Sequence, residues 1–307
     1  MSAFFHVQRI HKVYGNPITS HRSMPTMPED LILDRHVRQP SAGTPGVALA
    51  RTSHVGAPPD MPEGRLELCY QPQLHLSSGR VVAVEALARW RHPRRGLLTP
   101  DRFLPAIVAC GQMREFTTRV LSECFRCLDT LRDRGYGHMA VAINVSWDWI
   151  VDYGNIEEAI SLVYEAGHSP DKIIIEITEN ARLIKNEQAI RNLDRLRNRG
   201  FTISLDDFGS GYNAIEHLRY MPLDEIKIDR SLAYRSSEDE RGRQILQCLV
   251  EMIHMLGHEV TIEGISRKDD LILATHLRAD TAQGNFIAHA MPVDRLLSWL
   301  DARNHGG

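Results

Sequence analysis

The sequence predicts an α/β protein: a modified TIM (β/α)8 barrel that follows a mostly irregular N-terminal extension. From about residue 66 onward, short apolar runs alternate with longer helical stretches, a pattern typical of βα units and a mainly parallel sheet. About eight such runs in about 235 residues match the size of a (β/α)8 barrel. A doubly wound sheet is the main alternative. Neither GxGxxG nor GxxxxGKS/T follows the first run, which disfavours that alternative.

The predicted strands and helices divide the chain from residue 65 to residue 303. The candidate strands cover residues 66–71, 81–87, 139–144, 172–177, 202–205, 225–228 and 260–263, with a weak strand near Asp280. The candidate helices cover residues 114–132, 156–166, 187–199, 240–255 and 294–302. We therefore expect one barrel domain over residues 65–303.

Residues 1–64 form a region of different composition. Eight of the fifteen prolines fall there, and its apolar residues show neither helical nor strand periodicity. This composition predicts a mostly disordered or loosely ordered segment. It serves either as a linker or tail, or as a regulatory arm that binds a protein partner, and composition leaves both interpretations open.

The overall composition, with 43% hydrophobic and 24% charged residues, is that of an ordinary globular protein. A formal net charge of -3 provides no field that attracts nucleic acid or an anionic membrane. No helix-turn-helix is apparent in the first 64 residues, so direct DNA binding is not expected.

No apolar run approaches the ~18 residues that span a bilayer, and the N-terminus lacks the apolar core of a signal peptide. We expect a cytoplasmic protein without a membrane segment.

The cysteines indicate neither a disulfide framework nor a zinc site. Their number is five, which is odd, and they show no regular spacing. Cys124 and Cys127 form one CxxC within a helical stretch, but no second pair of ligands lies at the spacing of a zinc site. We interpret both as ordinary residues of a helix face.

Polar side chains follow the apolar runs of six predicted strands. They are Glu85, Asn144, Glu176, Asp206 with Asp207, Lys227 with Asp229, and Glu263. A single aspartate after a strand is usually a turn or helix-capping residue. Repetition over six strands is harder to explain that way, because the carboxyl ends of barrel strands meet at one face, where barrel enzymes place their chemistry.

Carboxylates that converge in this way need positive charge nearby, because they would otherwise raise one another's pKa. Oxygen ligands without Cys or His favour Mg2+ or Mn2+ over zinc. A cluster large enough for two ions indicates phosphate-ester chemistry, in which two cations hold the attacking and leaving oxygens. Lys227 either orients or deprotonates water, neutralises a phosphate, or forms a structural ion pair.

The motifs of this domain resemble those of the EAL-domain family of cyclic-di-GMP phosphodiesterases, in family order over about residues 66 to 302. They are Tyr70-Gln71-Pro72, Glu85-Ala86-Leu87 with Arg89, INVS around Asn144, Glu176-Ile177-Thr178-Glu179, the DDFG segment from Asp206 to Tyr212, KIDR from Lys227, Glu263-Gly264, and Gln283-Gly284.

The resemblance implies a barrel whose first strand can run antiparallel, and hydrolysis of cyclic di-GMP to linear pGpG by a homodimer. It assigns Glu85, Asn144, Glu176 and Asp206 as main metal ligands, and Asp207 and Glu263 to a second ion or its waters. Lys227, Glu85 and Glu263 are assigned to catalysis, and Gln71, Arg89 and Gln283 to the substrate or the attacking water. Glu179 is assigned to control of the loop after Asp207.

The sequence departs from the family pattern at the edge of this site. Ser266 stands where the family has the second Glu of EGVE, and Asn285 replaces the Tyr of QGY. Asn213-Ala214-Ile215 also lacks the serines that are usual after the loop. We expect detectable but weakened hydrolysis. The alternative is a regulator or repressor of gene expression or virulence that binds cyclic di-GMP or a protein partner without needing turnover.

Overall fold

The computed structural model describes residues 63–178, 186–210, 214–233, 236 and 238–305. Residues 1–62 of the extension predicted over residues 1–64, Glu179 and part of the loop after Asp207 lie outside these residues. The predictions made for those segments therefore remain predictions.

All eight predicted strands are present, together with one short additional strand. The strands are β1 (Arg65–His75), β2 (Arg80–His92), β3 (Gly96–Leu98), β4 (Ala140–Val145), β5 (Ile173–Thr178), β6 (Thr202–Phe208), β7 (Glu225–Ile228), β8 (Glu259–Ile262) and β9 (Thr281–Gln283). The additional strand, β3, forms a hairpin with the outer end of β2, where Trp90 pairs with Leu98. Three residues are too few to show a periodicity in the sequence.

Eight of these strands close a barrel. Strands β2 and β4 to β9 form a continuous parallel series, and β1 lies antiparallel between β9 and β2. The register of β1 places Gln71 opposite Glu85 and Gln73 opposite Gln283. The predicted barrel class and its antiparallel first strand are therefore confirmed.

Ten α-helices lie among the described residues and surround the strands, with one short 3-10 helix at Pro170–Lys172. They are α1 (Pro100–Ala109), α2 (Met113–Asp133), α3 (Trp147–Val151), α4 (Tyr153–Glu165), α5 (Glu187–Asn198), α6 (Ala214–Tyr220), α7 (Arg230–Ala233), α8 (Glu240–Met255), α9 (Lys268–His276) and α10 (Val293–His305). The five predicted helices correspond to α2, α4, α5, α8 and α10. Side chains of Ser146, Asp152, Asn186 and Asp239 accept hydrogen bonds from first-turn N–H groups and start α3, α4, α5 and α8.

The main hydrophobic core lies between the barrel and its helices. Ile143 of β4 and Ile226 of β7 are fully buried there, in one cluster with Leu193 of α5 and Val250 of α8. Each such side chain stabilises the fold by about 1.5–3 kcal/mol relative to an exposed position. Because side chains alternate along a strand, the neighbours of these core residues point into the barrel.

The barrel interior is apolar on one side and polar on the other. Ala83, Ala142 and Ile174 form a small separate apolar cluster. Glu225 of β7 is buried and accepts a hydrogen bond from the hydroxyl of Thr261 on β8. Polar groups therefore line one side of the interior below the carboxyl end of the barrel.

Among the residues described above, no helix is both long enough and apolar enough to cross a lipid bilayer.

Candidate active site

The carboxyl end of the barrel gathers the polar residues that the sequence places after its strands. They are Glu85 on β2, Asn144 on β4, Glu176 on β5, Asp206 and Asp207 on β6, Lys227 on β7 and Glu263 directly after β8. Parallel strands end at the same face, so residues far apart in sequence meet there. The structure brings all of these side chains into one cluster.

Lys227 lies at the centre of this cluster and is fully buried. Its Nζ is 2.7 Å from Glu263 Oε1, 2.9 Å from Glu176 Oε1, 3.1 Å from Asp206 Oδ1 and 3.6 Å from Glu85 Oε2. One ammonium group thus contacts carboxylates from four different strand ends. The ion pairs hold the acids in a defined arrangement around it.

Two side-chain amides complete the arrangement. Asn144 Nδ2 donates to Glu85 Oε1 at 2.9 Å and to Glu176 Oε2 at 3.2 Å. Gln283 Nε2 donates to Glu85 Oε2 at 2.6 Å and to Gln71 Oε1 at 3.2 Å. Both oxygens of Glu85 therefore accept a hydrogen bond from an amide, which fixes the plane of its carboxylate.

The ion pairs and amides outweigh the cost of burying charge at two positions. Burial alone would lower the pKa of Lys227, but the carboxylates led by Glu176 and Glu85 raise it well above its usual range. Burial alone would raise the pKa of Glu85, because it disfavours the carboxylate, but Lys227, Gln283 and Asn144 hold this pKa below its usual value. Lys227 is therefore an ammonium ion and Glu85 a carboxylate at neutral pH.

Three other acids of the cluster hold their protons more tightly than usual, because Lys227 does not offset the cost of ionising all of them. Burial, and then the Glu85 carboxylate, raise the pKa of Glu176 well above its usual range. Burial also raises the pKa of Glu263 to about 7. Burial and the Asp206 carboxylate raise the pKa of Asp207. Such shifts are typical of sites that bind a cation or perform proton chemistry.

Asp206, Asp207 and Glu263 form a group that fits a divalent metal ion. Each offers one carboxylate oxygen, and these three oxygens lie within 4.8 Å of one another. Asp207 adopts a φ of 57°, in the left-handed region that a non-glycine residue occupies only when its surroundings require it. The donors are all oxygens, as Mg2+ and Mn2+ prefer.

A cavity of about 300 Å³ opens above the acids. Its wall includes the predicted residues Gln71, Glu85, Asp206, Glu263 and Gln283. This volume is at the lower end of the ~300–1,000 Å³ usual for ligand sites. A ligand larger than the cavity would extend over its rim.

Two predicted site residues lie elsewhere or outside the described chain. Arg89 is four residues beyond Glu85 on β2, and its Nη1 donates to the carbonyl oxygen of Ala88 at 2.8 Å. It does not belong to the described wall of the cavity. Glu179 follows the last described residue of β5, so its assignment to loop control remains a prediction.

The wall also contains a residue to which the sequence reasoning assigned no role. Arg230, the last residue of the KIDR motif, is exposed and lines the cavity. The sequence feature that could have identified Arg230 is its position two residues after the strand that carries Lys227. Its proximity to Glu263 depends on the packing of α7, which the sequence did not predict.

The departures from the family pattern lie at the rim of the cavity. Ser266 and Asn285 both line it. The Ser266 hydroxyl donates to Asp270 Oδ2 at 3.0 Å, and the same oxygen accepts from the backbone N–H of Arg267 at 3.1 Å. Ser266 therefore helps to start α9, and neither departure removes a member of the cluster around Lys227.

Several curated proteins and solved structures are similar to this chain. The cyclic di-GMP phosphodiesterase NbdA of Pseudomonas aeruginosa is 34% identical over 240 residues, which are 78% of this chain and 31% of NbdA. The bifunctional diguanylate cyclase/cyclic di-GMP phosphodiesterase MucR of the same organism is 30% identical over 76% of this chain and 34% of MucR. The chain thus spans about a third of the length of these relatives.

The structural comparisons agree with this similarity. The PaMucR phosphodiesterase in its c-di-GMP complex has a TM-score of 0.70 and 29% identity, over 75% of this chain and 94% of that one. An EAL domain protein from Listeria monocytogenes has a TM-score of 0.70 and 25% identity, over 77% and 92% of the two chains. The sequence profile of the EAL domain matches residues 59–290. With its barrel, its gathered acids and this match, the chain belongs to the EAL domain family.

Proposed function

We propose that this chain hydrolyses cyclic di-GMP to linear pGpG with the help of two divalent cations, Mg2+ or Mn2+. The observation that carries the proposal is the cluster of five carboxylates and one amide around Lys227. The names of NbdA and MucR, and the c-di-GMP in the PaMucR complex, support the choice of substrate.

The residues that would hold the cations are those whose oxygens gather at the carboxyl end of the barrel. We assign Glu85, Asn144, Glu176 and Asp206 to one ion, and Asp207 and Glu263 to a second. Four carboxylates contact one ammonium group and Asp207 adds a fifth beside them, so the ionised cluster has an excess of negative charge. When bound, the cations would neutralise this charge and polarise the phosphodiester.

Hydrolysis to pGpG adds one water across one phosphodiester. The water oxygen forms a bond to phosphorus, the bond from phosphorus to the 3′ oxygen breaks, and that oxygen receives a proton. The product keeps the second phosphodiester and gains a terminal 5′ phosphate. The site therefore has to orient a water, tolerate added negative charge and allow a proton to leave.

The residues of the chain perform these tasks from fixed positions. Lys227 remains charged beneath the acids, where it orients Glu263 and Asp206 and offsets part of the charge. We assign Glu85 and Glu263 to orientation and deprotonation of the water. Lys227, which stays protonated, assists by holding these two carboxylates in place. Gln283 joins Glu85 to Gln71 through hydrogen bonds, so it connects the acid cluster with the wall that meets substrate. Arg89 remains a proposed contact for substrate beyond the described wall.

The test is incubation of the full chain with cyclic di-GMP in MgCl2 or MnCl2, followed by separation of the nucleotide products. We expect pGpG from the wild type, loss of at least about 100-fold in rate for Glu85→Ala, and no loss for the matched control Glu251→Ala on α8. Binding of cyclic di-GMP without pGpG would support the regulator instead. Neither binding nor product would contradict both functions.

A further inference from the structure

Arg230 occupies a distinct position among the charged residues of the cavity. It is the first residue of α7, is exposed, and lines the wall together with the acids Glu85, Asp206 and Glu263. Within that described wall it is the single cationic side chain. Lys227 lies below the wall, is fully buried and contacts four carboxylates, so its ammonium group is not presented to the cavity.

The structure fixes the direction of the Arg230 side chain. Its aliphatic part lies against Gly264, which directly follows Glu263 and has a φ of 69°. A Cβ at position 264 would overlap the Arg230 side chain, so the close approach depends on glycine. The guanidinium group of Arg230 is therefore carried next to the loop that holds Glu263.

The helix that begins with Arg230 is also fixed on its other side. Leu232 lies so close to Gly209 that a Cβ there would overlap it. Asp229 Oδ1 accepts a hydrogen bond of 2.8 Å from the backbone N–H of Ser231, which starts the helix. α7 thus contacts the loops that follow Asp207 and Glu263, through Leu232 and Arg230 respectively.

We propose that Arg230 binds the phosphodiester of cyclic di-GMP that is not cut; this inference rests on the proposed function. The bond to be cut has to lie near the buried acids, whereas Arg230 stands at the exposed rim of a cavity of about 300 Å³. In this binding mode the second phosphate extends over that rim toward Arg230. A guanidinium group contacts phosphate oxygens through two parallel hydrogen bonds, and its charge offsets the repulsion between the phosphate and the acids.

The test compares two substrates in full-length Arg230→Ala, Arg230→Lys and the matched control Arg241→Ala. Cyclic di-GMP has two phosphodiesters, and bis(p-nitrophenyl) phosphate has one. For Arg230→Ala we expect KM for cyclic di-GMP to rise about 10- to 100-fold, with KM for the single phosphodiester unchanged. Arg230→Lys should recover part of the affinity, and Arg241→Ala should resemble the wild type.

Other results would overturn the inference without affecting the proposed function. An unchanged KM for cyclic di-GMP in Arg230→Ala, in a wild type that forms pGpG, shows that Arg230 does not bind substrate. An equal rise for both substrates shows that it acts on the acid cluster.

If the wild type forms no pGpG, the dissociation constant of cyclic di-GMP in CaCl2 is measured for the same variants. Weaker binding by Arg230→Ala, but not by Arg241→Ala, then supports the contact. Equal binding by all variants, or no binding by the wild type, overturns it.

Discussion

At the scale of single residues, Lys227 determines the charge balance of the site. It is a fully buried ammonium group that contacts four carboxylates. Burial of a charge is tolerated only when partners compensate its lost hydration. The dependence is mutual, because the buried Glu176 has Lys227 as its nearest cation at 2.9 Å. Removal of the lysine would leave several acids without compensation.

Lys227→Met tests this dependence, because methionine has a similar shape without the charge. We expect the metal-free variant to lose about 3–5 kcal/mol of stability and its turnover of cyclic di-GMP to fall at least about 100-fold. Denaturant unfolding and product separation measure the two effects. Lys268→Met, at an exposed position at the start of α9, is the control. A Lys227→Met variant as stable as the control would contradict the role of the ammonium group.

Asn144 offers a second test, because its amide donates to both Glu85 and Glu176. Asn144→Asp replaces a donor with a further carboxylate, so repulsion should lower the Tm of the metal-free protein. A bound cation relieves that repulsion, so the Tm of the variant should rise more steeply with MgCl2 than that of the wild type. Thermal unfolding at increasing MgCl2 measures this slope. Parallel curves would show that Asn144 does not face a cation.

At the scale of elements, the loops that carry the acids are connected by a helix of four residues. α7 contacts Gly209 through Leu232 and Gly264 through Arg230. The backbone N–H of Asp229 also donates to the carbonyl oxygen of Phe208 at 3.2 Å. A shift of the loop after Asp207 would therefore displace α7, and with it the side chain that lies against Gly264.

Gly209→Ala tests this connection. The added Cβ would overlap Leu232, and φ at residue 209 is 92°, a conformation that alanine adopts at a cost. We expect a lower Tm and a lower kcat for cyclic di-GMP. Leu232→Ala in the same chain should restore part of both, because it removes the overlap but not the backbone strain. If the double variant were no better than Gly209→Ala, the contact with α7 would not be the cause.

The elements also show what a sequence can predict. The eight barrel strands and their polar ends were predictable because apolar runs and the residues after them are local features. α1 was not predicted because Pro105 interrupts its pattern, and α9 was not because its apolar residues are adjacent rather than spaced by a helical turn. The left-handed backbone of Asp207 and the place of Arg230 depend on packing between distant segments, which no local pattern specifies.

At the scale of the whole molecule, an acid with a raised pKa lies at the opposite end of the barrel from the candidate active site. This acid is Glu259, the first residue of β8. Burial, and then Asp280 and Glu225, raise its pKa above the usual value. Since the folded state holds this proton more tightly than the unfolded state, ionised Glu259 destabilises the fold at high pH, and this effect disappears as pH falls through the folded pKa.

Glu259→Gln should therefore raise the Tm at pH 8. The gain in the free energy of unfolding should be less than about 1 kcal/mol, because the group is partly exposed. The gain should shrink as the pH is lowered toward 4, where the wild-type carboxyl is protonated. Turnover of cyclic di-GMP should not change. Thermal unfolding over this pH range measures the effect, and Glu251→Gln on the exposed face of α8 is the control. A gain independent of pH would exclude charge repulsion as its cause.

The antiparallel direction of β1 decides where the polypeptide joins the barrel. Because β1 begins where β2 ends, with Arg65 opposite Arg91, the chain enters on the same side as the cavity. The Trp90 indole N–H donates to the carbonyl oxygen of Glu63 at 3.1 Å and fixes this entry point. In a barrel with eight parallel strands, the first strand would start at the far end. Here the backbone ahead of residue 63 is attached at the carboxyl end, so a pull on it would act first on that end of the barrel.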